Sequence, residues 1–292
     1  MKTAFVTGAN GFLGRRIVSA LKEDGWRTTG IVRHDPEAGD LVVHSLREEN
    51  FRTALTDVKP DLIIHGVGTA GPMSPRNLFE ANLLCATDLF LVLDQLDLGT
   101  AVVLIGSAAE YGYVSARDLP VLEEHICVPQ TTYGVSKFAQ TALGLSQKHR
   151  PVLCARLFNP VGLGMPSYLA LGDFTDRIRR GETELRVGNL AVRRDFICVD
   201  EAARLICALC MVPDAFGQVI NICAGESFEL KDIVTQLTEI APQVVNIVTD
   251  PLRVRGGEMP EFYGSTARLR RYGITPNRPD FTKILKGMIA HL

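Results

Sequence analysis

The stretch TGANGFLG (residues 7–14) directly follows the β-branched run KTAFVT and directly precedes the amphipathic run RRIVSALKE. Its glycines, Gly8, Gly11 and Gly14, are spaced G-x-x-G-x-x-G. In a strand–turn–helix setting each has a use. Gly8 permits the tight turn, Gly11 lets backbone approach a pyrophosphate, and Gly14 lets the helix pack close to the strand. The helix N-terminus then offers its unpaired N–H groups to the anion. A glycine triplet alone is weak evidence. Its position between a strand and a helix predicts a dinucleotide-binding unit at the start of the chain.

Working outward, short apolar runs alternate with longer amphipathic ones. KTAFVT, RTTGIV, DLIIH, AVVLIG and PVLCARL read as strands. FLGRRIVSALKEDG, FRTALTDV, the long PRNLFEANLLCATDLFLVLDQLD and TYGVSKFAQTALGLSQKH between them carry helical apolar spacing. This alternation calls for a parallel sheet with helices on both faces, a Rossmann-type doubly wound α/β fold. From residue 159 the order fails: FNPVGLGMPS is rich in Gly and Pro, and short strands and helices follow without βαβ order. The expected division is a dinucleotide-binding domain over residues 1–158, with a returning segment at about 193–222, and a smaller C-terminal α/β substrate domain over 159–292.

Composition narrows the function classes. With 31 Lys+Arg against 33 Asp+Glu among 292 residues, the net charge of -2 supplies no basic footprint for nucleic acid. No apolar run approaches the ~18 residues that would span a bilayer, and the opening MKTAFVTG has no signal-peptide pattern, so a cytoplasmic protein is expected. The seven cysteines are odd in number and scattered; Cys207 and Cys210 form a C-x-x-C within an apolar helical pattern, read as core packing with no metal site.

Two positions bear on the cofactor and three on chemistry. Arg33 stands directly after the strand RTTGIV, where an arginine accommodates a ribose 2′-phosphate, so NADP(H) is favoured. Asp35 is a ribose acceptor if the strand runs longer, which keeps NAD(H) open. Tyr133 and Lys137 form Y-x-x-x-K, a spacing that puts both on one helix face and lets an ammonium favour the phenolate. Ser107 closes the strand AVVLIG, at the sheet edge where open parallel sheets bind ligands.

TGANGFLG, Ser107 within GSAAEYG, and YGVSK resemble the extended short-chain dehydrogenase/reductase family, also called the NAD-dependent epimerase/dehydratase family, over nearly the whole chain. The resemblance implies a catalytic set of Ser107, Tyr133 and Lys137. It implies cofactor contacts from Gly8, Asn10, Gly11, Phe12, Leu13, Gly14, Arg33, Leu46, Gly66, Asn82, Tyr133 and Lys137. Asn159, Val187, Arg194, Arg253, Arg255 and Glu258 are the implied contacts to a nucleotide-diphosphate sugar. Asn82 lies in a segment similar to the family's N-x-x-G-T, with Ala86 in place of the glycine, and His65–Gly66 in one similar to H-x-A-A. The segments VGNLAVRRDF and DPLRVR are similar to those of family members that reduce a 4-keto-6-deoxyhexose on its nucleotide, with NADPH. Sugar 4-epimerisation with a retained NAD is the alternative, and a non-catalytic NADP sensor a more remote one. Dehydration is disfavoured, because Ala108 and Ala109 stand where related dehydratases carry an acid/base pair. Glu110, one residue further, is expected to point outward. Helices at 75–96 and 130–147 are the expected homodimer seam, as in many relatives.

Overall fold

The structure, a computed structural model, describes residues 1–253 and 257–290. The first half builds β1 (Thr3–Thr7), α1 (Gly14–Glu23), β2 (Arg27–Val32), β3 (Leu41–Val42), α2 (Glu49–Val58), β4 (Leu62–His65), α3 (Pro75–Phe79), α4 (Cys85–Gln95), β5 (Ala101–Ser107), α5 (Thr132–Ser146) and β6 (Val152–Leu157). There follow β7 (Asn159–Val161), α6 (Ala170–Arg179), β8 (Glu184–Val187), β9 (Arg193–Arg194), β10 (Phe196–Cys198), α7 (Val199–Cys210), β11 (Val219–Ile222), β12 (Phe228–Glu229), α8 (Leu230–Glu239), β13 (Asn246–Thr249), β14 (Glu261–Phe262), α9 (Ala267–Arg271) and α10 (Phe281–Ala290).

Seven strands form one parallel sheet in the order β11-β6-β5-β4-β1-β2-β3. Alternate residues of each strand feed opposite faces. Ala4, Val6, Ile64, Val103, Ile105 and Ala155 pack with α1 and α7, whereas Phe5, Ile63, Val102, Leu104 and Cys154 pack with α2 and α4. Burial on both faces is why these strands read as continuous apolar runs. Strand order reverses between β1 and β4, and the crevice at such a switch point is where an open α/β sheet receives ligands. The two turns there touch: a Cβ on Gly8 would stand 3.1 Å from the Gly66 carbonyl.

Three sequence expectations are refined. The long helix at 75–96 is interrupted by a π-helical turn, Glu80–Leu84, separating α3 from α4. Its extra residue accompanies the inward side chain of buried Asn82, which donates to Thr69 O (3.0 Å) and Ser136 Oγ (2.9 Å) and accepts from Thr69 N–H (2.8 Å). The first helix begins at Gly14, leaving Phe12 and Leu13 in the turn. Of the segment at 193–222, α7 and β11 join the central sheet layers. β9 and β10 pair elsewhere, β9 with β12 and β14, and β10 with β7. The residues after 158 also build a separate apolar cluster from α6, β8, α8 and α10, including Phe174, Leu185, Leu237 and Leu285. Cys207 lies in the core between α1 and α7, with Cys210 packed against it. No helix among the described residues is long and apolar enough to cross a membrane.

The glycine turn is sterically tight. A Cβ on Gly14 would come 2.1 Å from Gly8 O, a backbone atom that cannot swing aside. Gly14→Ala should therefore cost about 1–3 kcal/mol by overpacking and lower the melting temperature by several degrees. Gly287→Ala, in helix α10 with nothing within 4 Å of the new methyl, should leave it level or raise it. Equal melting temperatures for the two variants would contradict this account.

Candidate active site

The glycine turn, the ends of β4 and β5, the π-helical turn and the start of α5 converge above the switch point. Gly8, at φ +71°, adopts the left-handed turn that β-carbon-bearing residues resist. Gly8 N–H donates to Ile31 O at 2.9 Å and Gly11 N–H to Gly8 O at 3.0 Å. No side chain caps α1 at Leu13; Arg15 and Arg16 N–H donate to Gly11 O (3.2 Å) and Leu13 O (3.1 Å), and the helix dipole leaves this end attractive to an anion. Asn10 Nδ2 donates to His34 O at 2.7 Å, tying the turn to the segment that carries Arg33. Arg33 is exposed directly beyond β2; Asp35, two residues further, is also exposed, with φ at +49°. These features fit the pyrophosphate and adenosine half of a dinucleotide. Leu46, by contrast, is buried in the core between β2 and α4.

Ser107 ends β5 and caps a short 3-10 turn, its Oγ accepting the Ala109 N–H at 3.2 Å. Its hydroxyl also hydrogen-bonds to the Tyr133 phenol oxygen. Glu110 contradicts the outward placement expected of it. It is fully buried, accepts the Ser107 N–H through Oε1 at 2.7 Å and pairs through Oε2 with Arg156 Nη2 at 2.9 Å. The reason is local and long-range at once: S-x-x-E closes a capping box, and the β6 arginine neutralises the carboxylate.

Tyr133 opens α5 behind the cap of Thr131, whose side chain accepts the Gly134 N–H at 3.0 Å. Burial pushes its phenol up to about 12, while hydrogen bonding from Ser107 works the other way. The expected lowering by Lys137 is absent, because that ammonium donates elsewhere: to Ile105 O at 2.8 Å and Gln140 Oε1 at 3.0 Å. Burial brings Lys137 down to about 8, with Glu110 and Cys85 opposing. Gly68 keeps this corner open, since a Cβ there would lie 2.7 Å from Asn82 Oδ1 and 2.8 Å from Lys137 Nζ. Tyr168, from the loop after β7, lies close enough to Tyr133 to disfavour its phenolate.

The residues expected around a sugar nucleotide are less tightly grouped. Asn159 Nδ2 donates to Asp195 O at 2.7 Å. Arg194 donates to Met259 O at 2.9 Å, and Glu258 lies within range of its charge. Val187 is buried in the apolar cluster of the later residues. Arg253 is exposed beside Asp250, 3.7 Å away, on a turn packed against Gly188. Arg255 lies outside the described residues. Asp195, which the sequence reading passed over, accepts N–H groups from Ala224 (2.8 Å), Gly225 (3.0 Å) and Gly264 (3.3 Å).

The match to known proteins follows this architecture. The model of the NAD dependent epimerase/dehydratase family aligns with residues 4–223. The chain belongs to that family. It is an NAD(P)-dependent oxidoreductase of the extended short-chain dehydrogenase/reductase type. GDP-6-deoxy-D-mannose reductase of Pseudomonas aeruginosa is 31% identical, over 95% of this chain and 92% of its own length. GDP-6-deoxy-D-talose 4-dehydrogenase of Aggregatibacter actinomycetemcomitans is 25% identical over 90% and 88%. The structure of RMD from Pseudomonas aeruginosa complexed with NADPH superposes with a TM-score of 0.85 at 27% identity, covering 99% of this chain and 97% of that one.

Beneath the site, His65 is fully buried at the end of β4, with Nδ1 3.0 Å from Thr7 Oγ1 and Nε2 unpartnered. Burial and the Lys137 charge push it down to about 3, so it is neutral at physiological pH. In the unfolded chain it takes a proton near 6.5, and stability is lost as pH falls below that value. Asp195, pushed up to about 6 by burial, opposes this by binding its proton more readily when folded. Between pH 7 and 5 the histidine contribution should be about 2 kcal/mol. Urea midpoints at both pH values should show His65→Asn losing that much of the pH dependence; an unchanged difference would rule out a buried neutral histidine.

Proposed function

We propose that the protein reduces the C4 ketone of a nucleotide-diphosphate-linked 4-keto-6-deoxyhexose with NADPH. The observation that carries this reading is the environment of Glu110. With Ala108 and Ala109 unable to move protons, it is the nearest carboxylate to Ser107 in sequence, and its two oxygens are committed to Ser107 N–H and Arg156. A site so arranged lacks the acid/base pair that elimination of water needs, yet retains the groups for carbonyl reduction. The likeness to a GDP-6-deoxy-D-mannose reductase agrees with it.

The nicotinamide, when bound, supplies the hydride. Ser107 donates a hydrogen bond to the ketone oxygen, holding it against the Tyr133 phenol. A phenol pushed up to about 12 holds its proton at neutral pH and gives it to the stronger base that a reduced carbonyl becomes. Lys137, buried with its third N–H bond uncommitted, is placed to hold cofactor hydroxyls, and Asn82, its amide engaged by Thr69 and Ser136, braces the loop beside it. Gly8, Asn10, Gly11, Phe12, Leu13, Gly14 and Gly66 form the cofactor cradle, and Arg33 receives the 2′-phosphate. Asn159, Arg194, Glu258 and Arg253 serve the sugar nucleotide in this reading, with Val187 contributing backbone; Arg255, outside the described residues, is assigned there by resemblance alone. In this reading residues 1–158 with the returning segment carry the cofactor and the remainder the substrate. The free thiols of all seven cysteines suit a reducing cytoplasm. Leu84 and Leu91 on one helical run and Val135 and Phe138 on α5 are exposed apolar residues suited to a homodimer seam, which sedimentation at micromolar concentration would reveal.

A C4 epimerase built on the same three residues is the competing reading. Purification without added cofactor separates the two: the reductase should emerge without nucleotide and oxidise NADPH only when given a 4-keto-6-deoxyhexose nucleotide. Tightly co-purifying NAD(H) would overturn it. Tyr133→Phe should cost roughly 10²-fold or more in turnover with NADPH affinity retained. Arg33→Ala should weaken NADPH about tenfold and leave NADH unchanged; equal effects on both would remove the 2′-phosphate role.

A further inference from the structure

Gln140 lies one helical turn beyond Lys137, and both side chains are buried beneath the site. An ammonium only donates, so the carboxamide must present its oxygen, and Oε1 accepts from Nζ at 3.0 Å. The second acceptor, Ile105 O at 2.8 Å, belongs to β5, two residues before Ser107. Two acceptors on separate elements thus fix two of the three N–H bonds of Lys137. The amide nitrogen of Gln140 has no hydrogen-bond partner among the described residues. A buried polar group left unsatisfied is a cost that an apolar side chain of the same length would avoid. What the glutamine contributes is therefore at its oxygen.

We propose that Gln140 is the positioning residue of Lys137, aiming the ammonium at the catalytic corner while, as a neutral acceptor, leaving its positive charge uncompensated there. The inference rests on the Ser107–Tyr133–Lys137 reading above. The other ionisable groups around that ammonium are His65 from β4, neutral, Cys85 from α4, Glu110 from the turn after β5, and Tyr133 on its own helix. Glu110 is tied to Ser107 N–H and Arg156, so a carboxylate at position 140 would become the one in direct hydrogen-bonding reach of Nζ. Burial already draws Lys137 down to about 8, a range in which a neighbour's charge changes its protonation.

Gln140→Glu and Gln140→Met test this through the pH dependence of kcat and, independently of turnover, of NADPH affinity by fluorescence titration. Gln140→Glu should move the alkaline limb of both profiles up by about one pH unit. Gln140→Met should move it down by about half a unit and lower kcat roughly tenfold, with KM nearly constant. Thermal melts identify any variant that fails to fold, and either folded variant suffices. Unmoved limbs in the folded variants, with Lys137→Met inactive, would make Gln140 a core filler and overturn the proposal. Full activity and wild-type NADPH binding in Lys137→Met would instead overturn the catalytic reading, and the inference with it.

Discussion

The buried pair of Glu110 and Arg156 is the constraint around which the catalytic end of the sheet is arranged. A carboxylate and a guanidinium removed from water are tolerated only with close mutual geometry and further hydrogen bonds. Here the carboxylate also holds Ser107 N–H, and the guanidinium lies 4.4 Å from the Tyr111 ring centroid. Tyr111 in turn donates to Asn221 Oδ1 at 2.7 Å, and Asn221 N–H reaches Glu123 at 3.0 Å. One continuous network therefore runs from the end of β5 across β6 to β11. The pair is a poor source of net stability, since apolar residues of the same volume often do as well. Losing one partner alone costs about 3–5 kcal/mol, because a charge is then stranded in the interior. Its value is in the geometry it imposes on Ser107. Gly106 records the same crowding: a Cβ there would stand 2.6 Å from Glu110 Oε1.

A second hub joins the later part of the chain to the sheet. Among the described residues Asp195 pairs with no cation and is instead ringed by backbone N–H groups from two loops, while its own carbonyl holds Asn159. Backbone donors carry no net charge, so they steer a buried carboxylate without compensating it, and burial still raises its proton affinity. The consequence is mechanical. The loop after β11, the segment after β14 and the start of β7 are drawn to one point, which sets where Asn159 and Arg194 stand relative to the central sheet.

The sheet and the glycine turn were legible because their causes are local: β-branched runs, periodic apolar faces, and glycines where a Cβ has no room. Tyr133 and Lys137 were grouped by spacing and Ser107 by its place at the end of β5, and the structure brings Ser107 against Tyr133. Glu110 was misread although S-x-x-E is a capping-box pattern, because its partner Arg156 lies 46 residues away and no local signal pairs them. Asn82 was placed by resemblance, but the π-helical turn around it arises from tertiary contacts to Thr69 and Ser136 that periodicity does not encode. Arg253 was readable as a pyrophosphate partner by residue type alone, and the structure places it on an exposed turn beside Asp250.

The charge states of the site also escape the sequence, since they depend on depth. Y-x-x-x-K suggests an ammonium drawing a proton off a phenol, yet burial acts on both partners in the direction that favours their neutral forms. Tyr133 goes up to about 12 and Lys137 down to about 8, and desolvation is the largest cause of both shifts. A phenol that keeps its proton is matched to giving one away, and a lysine whose own charge is marginal responds to each group set against it. In the proposed reading the neutral groups beside Nζ, His65 and Gln140, are then as much a part of the chemistry as the tyrosine itself.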